Sequence, residues 1–263
     1  MNLTITFFVI LIKLVMKKKS IYSSILNSVG QIAILIDPEK TNTEAQLNSL
    51  LETLENSDVQ FLFVGGSSAK KKHVEFVVEF LKKNCKFPVI LFPGSNQQFS
   101  HCADGILYLS LLTSRNTKFL IDQHVENSVE IYHSNVEILP TAYLLINGNS
   151  DSSVAKISSS IPLPRNAKKQ ALKISLAGLL QGKKIIFLDA GSGAKKTVPC
   201  SLIKEIKNHT NAPIIVGGGI KTTKKLISLK KAGVNIIVIG NYIEEDLCNF
   251  KFISDYLTEI NNA

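Results

Sequence analysis

An acid followed at once by a glycine-rich turn stands out in the stretch FLDAGSGAKK, residues 187–196. Small residues let backbone N–H groups approach an anion closely, and a carboxylate accepts hydrogen bonds from hydroxyl groups. Together they suit a ligand that carries both hydroxyls and a phosphate. Many strands end in this way without binding anything, so the rest of the chain must decide between the two interpretations. The residues concerned are Phe187, Leu188, Asp189, Ala190, Gly191, Ser192 and Gly193.

Two more glycine turns lie further along the chain. Gly217-Gly218-Gly219 follows the run PIIV, and Gly240-Asn241 follows the run VNIIVI. A single glycine turn is weak support for phosphate binding, because glycine also serves tight turns. Three such turns at the ends of consecutive apolar runs favour a phosphate site. That site would include Gly191, Gly193, Gly218, Gly219, Gly240 and Asn241.

An acid and a hydroxyl end the first two apolar runs. Asp37 closes QIAILID, and Ser67 follows VQFLFVGG. Mg²⁺ in proteins keeps several waters and is held by one or two carboxylates together with substrate phosphates, so this pair is compatible with a magnesium site. The alternative is that Asp37, which precedes Pro38, only caps a turn or a helix. The pattern alone leaves both interpretations open.

Eight short apolar runs carry these residues. The runs are continuous rather than alternating, as expected of parallel strands that are covered on both faces. Amphipathic segments separate most of them, for example 43–56, with Thr43 as a suitable N-cap. The alternation predicts a (β/α)8 barrel, with a doubly wound open sheet as the alternative. Strands are predicted at 31–37, 59–66, 88–94, 104–110, 141–146, 184–191, 213–219 and 234–241, and helices at 43–56, 69–83, 116–133, 166–181, 200–208, 222–232 and 244–261.

Two connections in this pattern differ from the others. Only GSNQQFSHCADG, residues 94–105, separates the third and fourth runs, so we expect the third crossover helix to be missing or replaced by an extended piece. The serine-rich stretch 147–166 follows the fifth run. Because the active site of a parallel barrel lies at the carboxyl ends of its strands, this stretch is predicted to be a mobile active-site loop.

The composition argues against nucleic-acid binding and against disulfides. The chain of 263 residues has a net charge of +9, but its lysines are scattered, and no basic stretch is interleaved with aromatic residues. Its four cysteines form no CxxC pair and have no histidine at metal-ligand spacing. We therefore expect reduced thiols in a cytoplasmic protein.

The amino-terminal segment MNLTITFFVILIKLV, residues 1–15, is apolar but interrupted by Lys13. It is too short to span a bilayer and lacks the basic start and cleavage site of a signal peptide. We expect translation to begin at Met16, which leaves 1–15 outside the fold and makes 16–263 a single barrel domain. The alternative is a transient contact of residues 1–15 with a membrane surface.

Seven short motifs occur in order over nearly the whole chain. They read LIDPEK, FLFVGGSS, VILFPGS, ADGILYLSLLTSRN, FLDAGSGA, IIVGGGIKT and VIGN. Each is unspecific alone, but the ordered set resembles the geranylgeranylglyceryl phosphate synthase family of archaea and some bacteria. The resemblance implies a modified (β/α)8 TIM barrel without its third helix, in agreement with the short connection at 94–105.

The resemblance also implies a reaction. This is the Mg²⁺-dependent transfer of a long prenyl group, such as geranylgeranyl, from its diphosphate to the 3-hydroxyl of sn-glycerol 1-phosphate, with release of pyrophosphate, in ether phospholipid synthesis. The family's metal residues match Asp37 and Ser67, and Asp189 is expected to hold the glycerol hydroxyls and accept a proton. Related enzymes are usually dimers or larger, so a homo-oligomer is expected. The family's glycerol phosphate residues match Phe187 to Gly193, then Gly218, Gly219, Gly240 and Asn241.

The chain departs from the family pattern at the acceptor site. The family usually has Tyr-Leu-Glu where this chain has Phe187-Leu188-Asp189, so a phenol is lost and the carboxylate is one methylene shorter. These changes bear on acceptor affinity more than on the class of reaction. Two alternatives stay open: a catalytically silent phosphate- or lipid-binding barrel, and a phosphate-binding barrel of another specificity.

Overall fold

The computed structural model describes residues 20–55, 57–240 and 246–261. Within these residues, eight parallel strands pair in chain order, and the last pairs with the first to close a barrel. This closure confirms the predicted (β/α)8 fold over the open-sheet alternative. The strands are β1 (Gln31–Ile36), β2 (Phe61–Val64), β3 (Val89–Leu91), β4 (Gly105–Leu111), β5 (Glu137–Leu145), β6 (Ile185–Asp189), β7 (Ile214–Gly217) and β8 (Ile236–Ile239).

Helices follow most of the strands and cover the outside of the barrel. The predicted cap at Thr43 is confirmed: its hydroxyl accepts the backbone N–H of Gln46, whose side chain in turn accepts the N–H of Thr43. The segment predicted as one helix over 116–133 divides into a 3₁₀ turn (Thr117–Phe119) and an α-helix. The helices are α1 (Ile21–Leu26), α2 (Glu44–Leu54), α3 (Lys71–Asn84), α4 (Asp122–Tyr132), α5 (Ser153–Ser158), α6 (Lys168–Leu180), α7 (Cys200–Lys207), α8 (Thr223–Lys231) and α9 (Lys251–Asn261).

The core has two layers, one on each side of the sheet. In β1, Ile32 and Ile34 pack outward among the residues that meet the helices, while Ala33 packs inside the barrel with Phe61 and Phe63. Both faces of each strand are therefore buried, which explains why the strand sequences are continuously apolar.

The short helix α1 closes the amino-terminal end of the barrel. Its Ile21 and Ile25 are buried in the inner layer. The Glu137 carboxylate at the start of β5 accepts hydrogen bonds from the backbone N–H groups of Ile21 (2.7 Å) and Tyr22 (2.9 Å). The Glu137 carboxylate thus lies at the amino terminus of α1, where a negative charge complements the helix dipole. The barrel thus has one plugged end, and its carboxyl end is left for a site.

The connection between β3 and β4 contains no helix in residues 92–104, all of which the structure describes. The expectation of a missing crossover helix is confirmed, and a series of turns takes its place. The stretch 147–166 is not wholly irregular, since α5 lies within it, and Leu163 forms a parallel bridge with Ile146 at the end of β5.

No helix in the described part of the chain is long and apolar enough to cross a membrane. Residues 1–15 and the expected start at Met16 lie outside the described residues. The interpretation of that segment stays a prediction.

Candidate active site

A cavity of about 410 Å³ opens at the carboxyl ends of the strands. Leu188 and Ala190 alternate along the chain with the cavity-lining residues Phe187, Asp189 and Gly191. They lie in the outer core layer, so their side chains face the helices and not the cavity. Asn241 lies outside the described residues. The cavity brings together ten residues that the sequence singled out: Asp37, Ser67, Phe187, Asp189, Gly191, Ser192, Gly193, Gly218, Gly219 and Gly240.

Asp189 is the last residue of β6 and is buried, with 7% of its surface exposed. Its Oδ1 accepts the backbone N–H of Gly191 at 2.8 Å, and its Oδ2 accepts the phenol of Tyr143 at 2.5 Å. Burial raises the pKa of this carboxyl, and the two hydrogen bonds counteract the rise by stabilising the charged form. A carboxylate offers about four acceptor positions, so both oxygens can still accept from a ligand.

Tyr143 lies on β5 directly beside Phe187 of β6 in the strand register. The side chains of Tyr143, Phe187 and Phe92 form an aromatic cluster, with Phe92 stacked on Phe187 at 5.1 Å between ring centroids. Burial and the neighbouring charge of Asp189 raise the pKa of the Tyr143 phenol well above its ordinary value, so the phenol stays a hydrogen-bond donor. A phenol thus lies beside Asp189 in the cavity, provided by β5, although residue 187 is phenylalanine.

The glycine loops after β6 and β7 pack backbone against backbone. Gly218 has φ +85°, and a Cβ at this position would lie 2.7 Å from the carbonyl oxygen of Gly191. Gly219 has φ +69°, and a Cβ there would lie 2.8 Å from the backbone N of Thr197. Only glycine satisfies both the left-handed conformation and the close approach. The two loops form one edge of the cavity, and α8 begins a few residues further on, with Thr222 as its N-cap.

Asp37 and Ser67 line the cavity after β1 and β2. Oδ1 of Asp37 accepts the backbone N–H of Glu39 at 3.1 Å. A Cβ on Gly66 would lie 2.6 Å from the same oxygen, so the backbone beside Ser67 lies directly against the carboxylate. One carboxylate and one hydroxyl are hard oxygen donors of the kind that Mg²⁺ prefers. The described residues contain no group of three or more His, Cys, Asp or Glu side chains placed to hold a metal.

The remaining wall of the cavity is mostly apolar. It continues from Phe92 along β4 towards α4 and α5, in the direction of the missing crossover helix. The residues of this wall are Leu107, Leu109, Leu111, Phe119, Ile131, Val154 and Ile157. Val154 and Ile157 belong to the stretch 147–166, so this stretch borders the site as predicted.

His124 also borders the cavity, but its contacts are structural. Its ring stacks on Tyr108 at 4.2 Å between centroids, and Nε2 lies 2.6 Å from the Leu109 carbonyl oxygen. Burial lowers the pKa of His124, so the neutral ring donates to that carbonyl.

Two residues of the site were missed in the sequence. Tyr143 lies inside the run TAYLLI, and Gln98 lies in the short connection 94–105. The available signal at Tyr143 was a polar group two positions before the end of a barrel strand. For Gln98, the signal was a polar side chain in a segment that lacks a helix, but its contacts with the loop after β2 are not revealed by spacing alone.

The fold and the cavity define a (β/α)8 barrel enzyme whose site lies at the carboxyl ends of the strands. A family model described as the PcrB family matches residues 28–260. A protein named geranylgeranylglyceryl phosphate synthase from Chitinophaga pinensis is 38% identical over 239 residues, which cover 89% of this chain and 94% of that protein. A protein of the same name from Zunongwangia profunda is 41% identical over 213 residues, which cover 81% and 90%. The chain belongs to the PcrB family, and it is an enzyme of the prenyltransferase class.

Solved structures agree with this assignment. (S)-3-O-geranylgeranylglyceryl phosphate synthase from Thermoplasma acidophilum, in complex with its substrate sn-glycerol-1-phosphate, has a TM-score of 0.84 and 26% identity, covering 92% of this chain and 96% of that one. A tryptophan synthase alpha-subunit from Pyrococcus furiosus has a TM-score of 0.56 at 13% identity, covering 90% and 99%. The second likeness shows the barrel fold alone.

Proposed function

We propose that this protein transfers a long prenyl group from its diphosphate to the 3-hydroxyl of sn-glycerol 1-phosphate and releases pyrophosphate. The observation that carries the proposal is a single cavity with three kinds of wall. It has a carboxylate beside the glycine loops after β6 and β7, an acid–hydroxyl pair after β1 and β2, and a mostly apolar wall along β4. Glycerol phosphate, a diphosphate and a prenyl chain need those three environments.

The glycine loops are the proposed binding site for the phosphate group of the acceptor. Gly218 and Gly219 bring backbone close to the cavity, and the loops after the seventh and eighth strands are a common phosphate site in such barrels. Gly240, which directly follows β8, also lines the cavity. Lys221 contributes positive charge to the same wall.

Asp189 is the proposed base. With the acceptor phosphate on the glycine loops, the glycerol hydroxyls lie towards β6, where Oδ1 and Oδ2 are fixed by Gly191 and Tyr143. The 3-hydroxyl oxygen forms a bond to C1 of the prenyl group, and its proton passes to the Asp189 carboxylate. The bond between C1 and the diphosphate oxygen breaks, and pyrophosphate leaves with the electron pair. The products are one ether and one pyrophosphate.

Asp37 and Ser67 are the proposed holders of Mg²⁺. When bound, the ion would neutralise the charge that develops on the leaving diphosphate. Asp37 and Ser67 place oxygen donors at the cavity edge after β1 and β2, whereas Asp189 ends β6 on the far side of the barrel order, so the leaving group would lie away from the attacking hydroxyl. The apolar wall along β4 then receives the prenyl chain and excludes water from the allylic carbon.

The test is product formation by the purified full chain with Mg²⁺ and geranylgeranyl diphosphate. sn-Glycerol 1-phosphate and its 3-phosphate enantiomer are offered separately, and the prenyl ether is detected by mass spectrometry. We expect ether from the 1-phosphate only, and loss of product in Asp37→Ala. Binding of the acceptor without any ether would instead identify a silent phosphate-binding barrel, and ether with another acceptor would identify a different specificity. The cytoplasmic location and the homo-oligomer stay predictions.

A further inference from the structure

Gln98 is a buried amide in the segment that replaces the missing crossover helix. Gln98 has 1% of its surface exposed, although the surrounding residues 92–104 form only turns and irregular backbone. Burial of an amide costs free energy unless its donors and acceptor are all hydrogen-bonded. A glutamine at this depth therefore calls for partners.

The partners of Gln98 are all backbone groups. Its Oε1 accepts the N–H of Gly94 at 2.9 Å. Its Nε2 donates to the carbonyl oxygens of Gly66 at 2.8 Å and Ala69 at 3.0 Å. One side chain thus joins the β3–β4 segment to both ends of the loop that follows β2.

The loop held in this way carries one half of the proposed metal and diphosphate site. Ser67 lies between the two carbonyls that Gln98 holds, and Gly66 lies against Oδ1 of Asp37. On the other side of the loop, a Cβ on Gly94 would lie 2.5 Å from the Gly66 carbonyl oxygen and 2.9 Å from Cα of Ser67. The loop is confined between Asp37 and Gly94, and Gln98 supplies the hydrogen bonds that hold it there.

We propose that Gln98 is a positioning residue that sets the distance between Ser67 and Asp37 and so fixes the diphosphate end of the prenyl donor. This inference rests on the proposed function. The role is specific to the amide: two carbonyls need two donors, and the Gly94 N–H needs an acceptor. In a barrel without its third crossover helix, this side chain provides a link that a packed helix would otherwise provide.

Two substitutions separate the contacts. Gln98→Met keeps a similar shape and removes all three hydrogen bonds. Gln98→Glu keeps the acceptor for the Gly94 N–H but places a carboxylate oxygen against the carbonyls of Gly66 and Ala69. Gln60 supplies a matched control: its amide also bonds only backbone, accepting from Ile32 and donating to Asp58, and it lies at the amino-terminal end of the barrel.

The experiment measures the KM of each substrate and, without turnover, the Kd of inorganic pyrophosphate in the presence of Mg²⁺ by calorimetry. In both Gln98 variants we expect the KM for prenyl diphosphate and the Kd for pyrophosphate to rise about tenfold or more, the scale on which supporting residues act on a metal site. The KM for sn-glycerol 1-phosphate is expected to stay unchanged, and Gln60→Met to match the wild type. A role in stability alone would lower the melting temperature without separating the two KM values.

An active wild type whose Gln98 variants show equal or no changes in both KM values would overturn this inference and leave the proposed function standing. A wild type that neither binds pyrophosphate with Mg²⁺ nor makes an ether would overturn both. If Gln98→Met does not fold, the KM split and the pyrophosphate Kd of Gln98→Glu decide the matter.

Discussion

The phenol of Tyr143 donates a 2.5 Å hydrogen bond to Oδ2 of Asp189, and the two residues lie on adjacent strands. The bond opposes the effect of burial, which raises the pKa of Asp189. A buried carboxylate that must act as a base near neutral pH needs such a donor. The register of β5 and β6 therefore places Tyr143 where its hydrogen bond supports the role as a base that is proposed for Asp189.

Removal of the phenol hydroxyl is expected to move the pH dependence of the reaction. In Tyr143→Phe the hydrogen bond that lowers the pKa of Asp189 is lost, so this pKa rises and the acid limb of kcat/KM shifts to higher pH. A hydrogen bond to a charged group is worth about 1.5–3 kcal/mol, which corresponds to a shift of about one pH unit or more. The measurement is the pH profile of initial rates.

Tyr256→Phe is the matched control for that profile. The Tyr256 hydroxyl donates to the Gly30 carbonyl at 2.9 Å, at the amino-terminal end of the barrel, and burial raises its pKa to about 12. Loss of this bond should lower stability and leave the acid limb in place. An acid limb that stays fixed in Tyr143→Phe, or moves equally in both variants, would contradict the role assigned to Tyr143.

Asp189 should also leave a signature in folding stability. Because its pKa is raised in the folded state, the folded state binds the proton more tightly than the unfolded chain does. Its contribution to the free energy of unfolding is fully present below the unfolded pKa and is lost as pH rises through the folded pKa. Urea unfolding of Asp189→Asn should lack this decline, and kcat should fall by about 10²–10⁴-fold, the range for a lost general base. A parallel decline in variant and wild type would refute the assignment.

Two glycine substitutions should separate an effect on stability from an effect on substrate affinity. Gly218→Ala places a Cβ against Gly191 at φ +85°, whereas Gly182→Ala meets nothing within 4 Å at φ +88°. Both substitutions are expected to cost about 1–2 kcal/mol for the left-handed conformation. Only Gly218→Ala should also raise the KM for sn-glycerol 1-phosphate, as judged by thermal unfolding and steady-state kinetics. An unchanged KM in Gly218→Ala would contradict the proposal that the phosphate binds at these loops.

Asp37→Asn is expected to raise the Mg²⁺ concentration needed for half-maximal rate. This concentration should rise about tenfold or more, the size of effect that changes around a metal site have. The effect should be that large because Asp37 is the carboxylate of the proposed pair. Asp255→Asn, at an exposed position of α9, serves as the control for charge. A Mg²⁺ titration that is the same for both variants would place the metal elsewhere.

The apolar wall along β4 predicts a change in prenyl length. Leu109→Trp adds volume to the cavity, so shorter prenyl diphosphates should gain relative to geranylgeranyl diphosphate. Even one methylene in an apolar pocket changes selectivity by about 10-fold or more, so the ratio of kcat/KM values is a sensitive measure. Leu180→Trp, at an exposed position, should keep the original ratio. Equal ratios in both variants would mean that the chain does not pass Leu109.

The sequence was sufficient for eight parallel strands because each strand is buried on both faces and so leaves a continuous apolar run, but the pairing of β8 with β1 that closes the barrel is not encoded in that pattern. The boundaries were less exact: the run 59–66 contains a strand only at Phe61–Val64, and the run 141–146 belongs to a strand that begins at Glu137. Strand ends are set by pairing with neighbours, as in the pairing of Glu137 with Gly105. The chain's own pattern does not encode those partners.

The residues that line the cavity were predictable where they end or directly follow a strand, as at Asp37, Asp189 and the glycine turns. Tyr143 and Gln98 were not predictable, because their importance arises from contacts made across long stretches of chain. Tyr143 meets Asp189 only in the register of β5 and β6, and Gln98 meets Gly66 across 32 positions of the chain. Helix α1 was also missed: it has a local N-cap in Ser20, but it is only six residues long and is held by Glu137 of a distant strand.

The most direct test of the proposed reaction is its stoichiometry. Wild-type enzyme is given Mg²⁺, geranylgeranyl diphosphate and sn-glycerol 1-phosphate, and the pyrophosphate and the ether are quantified in the same samples over time. We expect one pyrophosphate for each ether, and neither product above background when the acceptor is omitted. Pyrophosphate released without ether, or both substrates bound with neither product formed, would contradict it.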